Sequence, residues 1–228
     1  MGEWLNLFTR YLNDFLIGAG VTLELTAIGL TMGFLLGLGL ALSKVYGSKP
    51  LRWFATTYIE IFRGTPLLVQ LFLIYYGLPS LGITLSQSLS AYLALGLNSA
   101  AYQAEYLRGA ILSIGNPQMT AGRSIGLSRW QTIQHIILPQ ALRLAIPSWS
   151  NEPILLLKST GVVFLIAVQD LMAKAKRAAT TTYNPIGSYL AVAVVYLAMV
   201  FVLNALLKLL ERKARIPGLE MTGGKGTY

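Results

Sequence analysis

Long apolar stretches separated by short polar segments dominate the pattern of this chain. Between Phe15 and Ser43 the only charged residue is Glu24, and residues 64–104 and 178–207 contain none. Each stretch exceeds the roughly 20 apolar residues that a membrane-spanning helix needs. The pattern therefore predicts an all-α protein that lies within a bilayer.

Five membrane spans are predicted, and one of them is irregular. Their approximate bounds are 15–42, 54–78, 88–112, 153–171 and 186–209. The second span contains Pro66, which removes a helical hydrogen bond, so neighbouring groups must satisfy the freed backbone. We expect residues 1–228 to form one transmembrane domain whose first apolar run is retained, because no cleavable signal peptide precedes it.

The distribution of basic residues predicts the orientation of the chain. If the C-terminus is cytoplasmic, 12 Lys and Arg side chains lie inside and four lie outside. Because cytoplasmic segments of membrane proteins are enriched in Lys and Arg, the N-terminus is predicted to face outward. Lys174, Lys176 and Arg177 fall on the outer side against this rule and could form a docking surface.

Composition narrows the class of protein further. Hydrophobic residues make up 54% of the chain and charged residues 12%, which is unlike a soluble protein. The net charge of +9 would suit a nucleic-acid partner, but the basic residues lie in short segments between apolar runs, so no nucleic acid is expected. The chain has no cysteine and His135 is its only histidine, so no metal site is predicted.

The glycine-rich segment Gly223–Thr227 is not a phosphate-binding loop. Such a loop needs glycine where Leu219 stands, and Ser or Thr where Gly226 stands. We therefore expect this chain to hold no nucleotide and to be no enzyme, with ATP hydrolysis supplied by another protein.

The longest polar segment, 113–150, is predicted to be cytoplasmic. Its apolar residues recur at near-helical spacing, which predicts two short helices joined by a turn at Gly126, the second ending at Pro139. The sequence reads Thr-Ala-Gly-Arg-Ser-Ile-Gly over residues 120–126, then nine residues, then Ile-Ile-Leu-Pro over residues 136–139. This spacing resembles the coupling motif of ABC importer permeases.

The resemblance implies which residues contact an ATPase. They are Thr120, Ala121, Gly122, Ser124, Gly126, Leu127 and Pro139. Thr120 stands where that family usually has Glu, and Gly122 where it has a second Ala. A charge contact to the ATPase is therefore expected to be missing here.

Further segments between Thr22 and Lys213 resemble the amino-acid branch of these permeases. They are Thr22–Thr26, Phe62–Gln70, Ala100–Gly109, Leu138–Arg143 and Asn151–Thr160. The resemblance implies a type I ABC importer transmembrane domain in the cell membrane that moves polar amino acids by alternating access. It also implies a second permease subunit, identical or related, two ATPase subunits that hold ATP and Mg, and an extracytoplasmic substrate-binding protein.

Polar residues on two spans are candidates for binding the substrate. Asn98 and Tyr102 lie four residues apart, and Glu152 and Ser159 fall close to one face of the fourth span. Glu152 suits an amino or guanidinium group, and a helix N-terminus at Pro153 would attract a carboxylate. The alternative is that these residues cap a helix and form interhelical hydrogen bonds.

The other charged and small residues of the spans are predicted to serve packing. The expected ion pairs are Glu105 with Arg108 and Glu60 with Arg63, because side chains three apart share a helix face. Glu24 lacks such a neighbour and could pair with Lys158. Three glycines at four-residue intervals predict close approach of another helix to the first span, and these are Gly29, Gly33 and Gly37.

Two other classes of membrane protein remain as alternatives. A membrane-embedded enzyme would need clustered Asp, His or Cys residues, whereas Asp14 and Asp170 are the only aspartates and lie in separate segments. An ATP-independent channel or secondary carrier is the other alternative; many carriers contain internal repeats, and none is found here.

Overall fold

The computed structural model describes the backbone of residues 2–214 and the side chains of residues 7–213. Every regular element in this part of the chain is helical, so the predicted all-α fold is confirmed. The helices are α1 Gly2–Tyr46, α2 Lys49–Gly64, α3 Leu67–Phe72, α4 Gln87–Ser124, α5 Arg129–Thr132, α6 Leu138–Trp149, α7 Asn151–Ser159, α8 Leu171–Thr182 and α9 Pro185–Ala214. Shorter turns extend them, with π geometry at Leu73–Gly77 and Ile133–Ile137 and 3₁₀ geometry at Leu78–Leu81 and Thr160–Ile166.

Two helices among the described residues are long and apolar enough to cross a bilayer. They are α1 over Leu7–Tyr46 and α9 over Pro185–Lys213. Two further pairs reach this length only together, and both are bent: Lys49–Gly64 with Leu67–Leu81 by 105°, and Asn151–Ile166 with Leu171–Thr182 by 54°. These elements overlap four of the five predicted spans, and the count of five stays a prediction.

The remaining predicted span, 88–112, lies within α4, the central helix of the bundle. α4 packs against α1, α2, α3, α6 and α7. The polar side chains of Ser90, Ser99 and Gln103 on this helix are fully buried. Because these groups face protein and not lipid, α4 does not need the apolar surface of an outer helix.

The glycine face of α1 lies directly against α4, which confirms the predicted close packing. A Cβ atom at Gly33 would lie 2.6 Å from Gln103 Nε2 and 2.8 Å from Ser99 Oγ. At Gly37 it would lie 3.0 Å from the carbonyl oxygen of Ala100. Only glycine allows the two backbones to come this close, so α1 fixes the position of the buried polar groups on α4.

The chain breaks between α2 and α3 at Pro66, where the sequence predicts an interruption. In an uninterrupted helix the carbonyl of Phe62 would accept from residue 66, but proline has no N–H. The Gln70 amide donates to this carbonyl (2.9 Å) and to the carbonyl of Thr65 (3.1 Å), and Asn98 Nδ2 donates to Phe62 as well (3.3 Å). Side chains of the bundle thus satisfy the freed backbone groups, as a bent helix in a membrane requires.

A helix, a turn and a second helix form around Gly126. α4 changes direction at Gly115 (φ 71°, ψ −179°) and ends at Ser124. Gly126 has φ 87°, in the left-handed region that favours glycine. Ser128 begins α5 with a capping box, in which its hydroxyl accepts from the Gln131 N–H while the Gln131 side chain accepts from the Ser128 N–H.

The prediction that the second helix ends at Pro139 is wrong. Pro139 is the second residue of α6, which continues to Trp149. A proline removes one helical hydrogen bond, and the π turn Ile133–Ile137 directly before α6 widens the helix enough to accommodate the ring. The helix therefore extends from the Gly126 turn into the bundle.

Candidate functional site

A cavity of about 440 Å³ lies where the break between α2 and α3 faces the middle of α4 and the start of α7. All four residues predicted to bind substrate line it, namely Asn98, Tyr102, Glu152 and Ser159. Arg63 and the residues of the break, Gly64, Thr65 and Pro66, line it as well. The fold therefore brings the sequence candidates together, and their contact with a substrate stays a prediction.

Glu152 is a buried carboxylate with one hydrogen bond. Its side chain is 3% exposed, and Oε1 accepts from the Ser99 hydroxyl at 2.6 Å. Within residues 7–213 the ion pairs are Lys44–Glu105 and Arg108–Glu105, so no basic side chain neutralises Glu152. A buried charge without a partner is costly, which favours a site that receives a cation from outside.

The helix N-terminus predicted at Pro153 lies two residues earlier, at Asn151. Ser150 has right-handed helical dihedrals (φ −57°, ψ −20°), and its N–H donates to the carbonyl of Ile146 at 2.8 Å. Ser150 thus separates α6 from α7, and Pro153 is the third residue of α7. Binding of a carboxylate at the start of α7 stays a prediction.

Arg63 is the cationic group of the cavity, although the sequence predicts that it pairs with Glu60. The predicted pair with Glu60 does not form among the described residues, and the Arg63 guanidinium lies 5.4 Å from the centre of the Tyr102 ring instead. A cation over an aromatic face is attracted by the ring, so Tyr102 orients Arg63 at the cavity wall. Arg63 directly precedes Gly64-Thr65-Pro66. This break was the sequence signal that its side chain need not pair with Glu60 on the same helix.

The amide and hydroxyl groups of the cavity are partly engaged with the protein. Asn98 Nδ2 donates to the Phe62 carbonyl (3.3 Å) and to Gln70 Oε1 (3.1 Å). Both of its amide hydrogens are thereby used, and its Oδ1 remains as an acceptor. The Ser159 hydroxyl donates to the carbonyl of Leu155 at 2.9 Å and keeps its acceptor capacity. The cavity thus offers a positive group, a negative group and hydrogen-bonding groups to a small polar molecule.

Comparison with known proteins identifies the family of the chain. Residues 29–216 match the family described as binding-protein-dependent transport system inner membrane component, which is well over half of the chain. The chain belongs to this family. It is therefore a permease subunit of the inner membrane, in a family whose members work with ATPase subunits and a substrate-binding protein.

Individual relatives agree with this assignment. The probable amino-acid ABC transporter permease protein PatM of Vibrio harveyi is 39% identical, over 90% of this chain and 90% of its own. The glutamine transport system permease protein GlnP of Escherichia coli strain K12 is 36% identical, over 87% of this chain and 92% of its own. A solved structure described as an amino acid ABC transporter with histidines is 38% identical, with a TM-score of 0.83 over 90% of this chain and 96% of that chain.

The residues of the permease that are predicted to contact an ATPase lie around the Gly126 turn. Most of them are exposed, and these are Thr120, Ala121, Ser124, Gly126 and Pro139, while Leu127 is half-buried. Gly122 differs, because it is buried and a Cβ there would lie 2.5 Å from Thr132 Cγ2. Gly122 therefore packs α4 against α5 and is not available to a partner, contrary to the prediction.

Two other charged residues of the permease form contacts that the sequence left open or incomplete. Glu105 pairs with Arg108 (2.7 Å), as predicted, and also with Lys44 of α1 (2.9 Å). Glu24 accepts from the Tyr92 hydroxyl and does not pair with Lys158. All of these contacts lie outside the cavity, and those of Lys44 and Glu24 join α1 to α4.

Proposed function

We propose that this chain is the membrane-spanning permease subunit of an ATP-driven importer of polar amino acids. The observation that carries the proposal is the cavity in which Arg63 and Glu152 supply opposite charges. A free amino acid bears a carboxylate and an ammonium group, and it therefore complements both. Membership of the transport family and the names of the relatives support the same substrate class.

In this proposal the two charges of the substrate bind two different residues of the cavity. The substrate carboxylate binds the Arg63 guanidinium, whose planar donors match it in two parallel hydrogen bonds. The ammonium group, or a cationic side chain, binds Glu152. Asn98 accepts through Oδ1, and the hydroxyls of Tyr102 and Ser159 complete the hydrogen bonds.

The structure supports a class of amino acid and does not single out one side chain. A carboxylate with no cationic partner favours a basic amino acid such as arginine or histidine. One relative is named for glutamine, however, and one solved structure for histidines. Because the α-ammonium group alone could neutralise Glu152, the proposal covers polar amino acids with a preference for basic ones.

The proposed assembly places one chain in each half of a transport path. Residues 1–228 form a single domain with five spans, the N-terminus outside and the C-terminus in the cytoplasm. A second permease, identical or related, forms the other half. Two ATPase subunits, which hold ATP and Mg, dock on the segment 113–150, and an extracytoplasmic protein delivers the substrate. Closure of the ATPases then makes the cavity face outward and inward in turn.

The test is ATP hydrolysis by the permease reconstituted in lipid with its candidate ATPase and substrate-binding protein. Each of the common amino acids is added in turn, and stimulation by one or a few polar amino acids is expected. A complex that never forms, or transport that proceeds without ATP, would contradict the proposal and favour a channel or secondary carrier.

A further inference from the structure

A chain of hydrogen bonds runs from Trp149, the last residue of α6, to Glu152 in the cavity. Trp149 Nε1 donates to Gln103 Oε1 (2.6 Å), and Gln103 Nε2 donates to Ser99 Oγ (3.0 Å). The Ser99 hydroxyl donates to Glu152 Oε1 (2.6 Å). Ser99 and Gln103 are fully buried, so water does not compete for these groups.

The chemistry of the end groups fixes the direction of every bond. An indole N–H can only donate and a backbone carbonyl can only accept. Gln103 must therefore turn its oxygen toward Trp149 and its NH₂ group toward the carbonyl of Leu30, 3.1 Å away. The second amide hydrogen occupies Ser99 Oγ as an acceptor, which leaves the hydroxyl hydrogen for Glu152. The carboxylate thus receives one charge-assisted hydrogen bond from a fixed direction.

The packing around Gln103 leaves its amide little freedom to move. Gly33 of α1 lies so close that a Cβ there would be 2.6 Å from Gln103 Nε2. Gln103 on α4 therefore links α1, through Leu30, to α6, through Trp149. Glu152 lies on a fourth helix, α7, and the Ser99 hydroxyl connects it to Gln103.

We propose that Gln103 is a positioning residue that makes the orientation of the Glu152 carboxylate depend on the position of Trp149. The inference rests on the proposed function, because it takes Glu152 as the group that binds the cationic part of an amino acid. Trp149 ends α6. The helical path that leads into α6 begins with α5 at Arg129, beside the Gly126 turn and the surface proposed to contact the ATPase. When α6 moves and withdraws the indole, the Gln103 amide loses its fixed orientation, Ser99 loses its direction, and the cavity releases the amino acid.

A purely structural network would also join these helices, so the test must separate the two roles. Trp149 and Ser99 share Gln103 as a partner and do not bond each other. A double-mutant cycle on these two positions therefore measures communication through Gln103. Trp149→Phe keeps an aromatic ring and removes the N–H, whereas Ser99→Ala removes only the hydroxyl.

The readout is the amino-acid concentration that gives half-maximal stimulation of ATP hydrolysis by the reconstituted complex. The probe is whichever amino acid stimulates the unsubstituted complex most. We expect Ser99→Ala to raise this concentration about tenfold and Trp149→Phe about threefold, in keeping with the loss of hydrogen bonds to charged and neutral groups. The double variant should stay near tenfold, whereas independent effects would give about thirtyfold.

Two further variants keep the test decisive. Gln103→Met removes both amide groups at similar length and should match Ser99→Ala, even if Trp149→Phe fails to assemble. Ser90→Ala is the matched control, because Ser90 is an equally buried serine of α4 whose hydroxyl has no partner among the described residues, and it should change nothing.

Independent effects overturn the inference. Coupling that appears in the melting temperature and not in the half-maximal concentration overturns it as well, because the network would then only hold helices together. A complex that responds to no amino acid contradicts the proposed function instead, so the two failures are distinguishable.

Discussion

At the scale of single residues, the main feature of the cavity is a buried carboxylate that has no cationic partner within the described part of the chain. Glu152 is 3% exposed and accepts one hydrogen bond, from Ser99. A charge in such a place is retained only if something compensates it for part of the time. In the proposed function, an incoming ammonium or guanidinium group provides that compensation, and its departure restores the unfavourable state.

Replacing Glu152 with Gln should therefore weaken substrate binding without unfolding the protein. Glutamine still offers an acceptor to Ser99 and removes only the charge. We expect the half-maximal concentration for uptake into vesicles to rise about 100-fold, since losing one partner of a desolvated charge pair costs roughly 3 kcal/mol.

Glu24→Gln is the matched control for Glu152→Gln. It makes the same substitution at a carboxylate that accepts from Tyr92 and lies outside the cavity. Uptake should remain normal in this variant. Equal losses in the two variants would mean that the charge at residue 152 has no special role.

The sequence allowed some of these residues to be predicted and hid others. The polar side chains on the third and fourth spans could be found because helical spacing puts them on one face. Arg63 was assigned to Glu60, because spacing on a straight helix says nothing about a bend that begins one residue later. Gln103 offered no signal at all, since an amide inside a bundle is recognised only by its partners on α1 and α6.

At the scale of helices, the contact between α1 and α4 depends on glycine. A Cβ at Gly33 would lie 2.6 Å from Gln103 Nε2 and 2.9 Å from Ser99 Cβ, distances that force a shift. Gly33→Ala should therefore lower the stability of the detergent-solubilised protein by about 1–3 kcal/mol, measured as a fall in melting temperature.

Gly39→Ala tests whether that loss comes from contact and not from helix propensity. Gly39 lies on the same helix, and a Cβ there would meet nothing within 4 Å. Alanine is the better helix former by up to about 1 kcal/mol, so this variant should be unchanged or slightly more stable. A loss in Gly39→Ala as large as that in Gly33→Ala would contradict the packing argument.

The turn between α4 and α5 gives a second prediction about elements. A Cβ at Gly126 would meet nothing within 4 Å, so a substitution there acts only through the backbone angle φ 87°. Valine resists this angle at a cost of about 1–3 kcal/mol, whereas asparagine tolerates it. Gly126→Val should reduce co-purification of the ATPase, and Gly126→Asn should largely retain it. Equal retention in both would show that the turn does not shape the docking surface.

Only part of the break at Pro66 could be predicted from the sequence. The lost hydrogen bond could be predicted from the proline alone. The 105° bend could not, because it depends on which side chains donate hydrogen bonds to the freed carbonyls. Gln70 and Asn98 provide them from α3 and α4, and those positions follow from the packed bundle.

At the scale of the whole molecule, the proposed topology can be tested without removing any native cysteine, because the chain contains none. Thr84→Cys and Thr181→Cys should react with a membrane-impermeant maleimide added to intact cells. Ser48→Cys and Ser128→Cys should react only after the membrane is opened. All four side chains are exposed in the structure, so a silent position reports its side of the membrane. Labelling of Ser48→Cys in intact cells would reverse the proposed orientation.

The break at Gly115 has a mechanical consequence for the assembled transporter. A continuous helix transmits torque along its axis, but the backbone of Gly115 (φ 71°, ψ −179°) interrupts α4 between the Gly126 turn and Glu105. From α6 into α7 the dihedrals stay right-handed through Ser150, despite Pro147. Rotation imposed at the membrane surface should thus be lost at Gly115 in α4 and carried along α6 as far as Trp149, where it reaches the Gln103 amide.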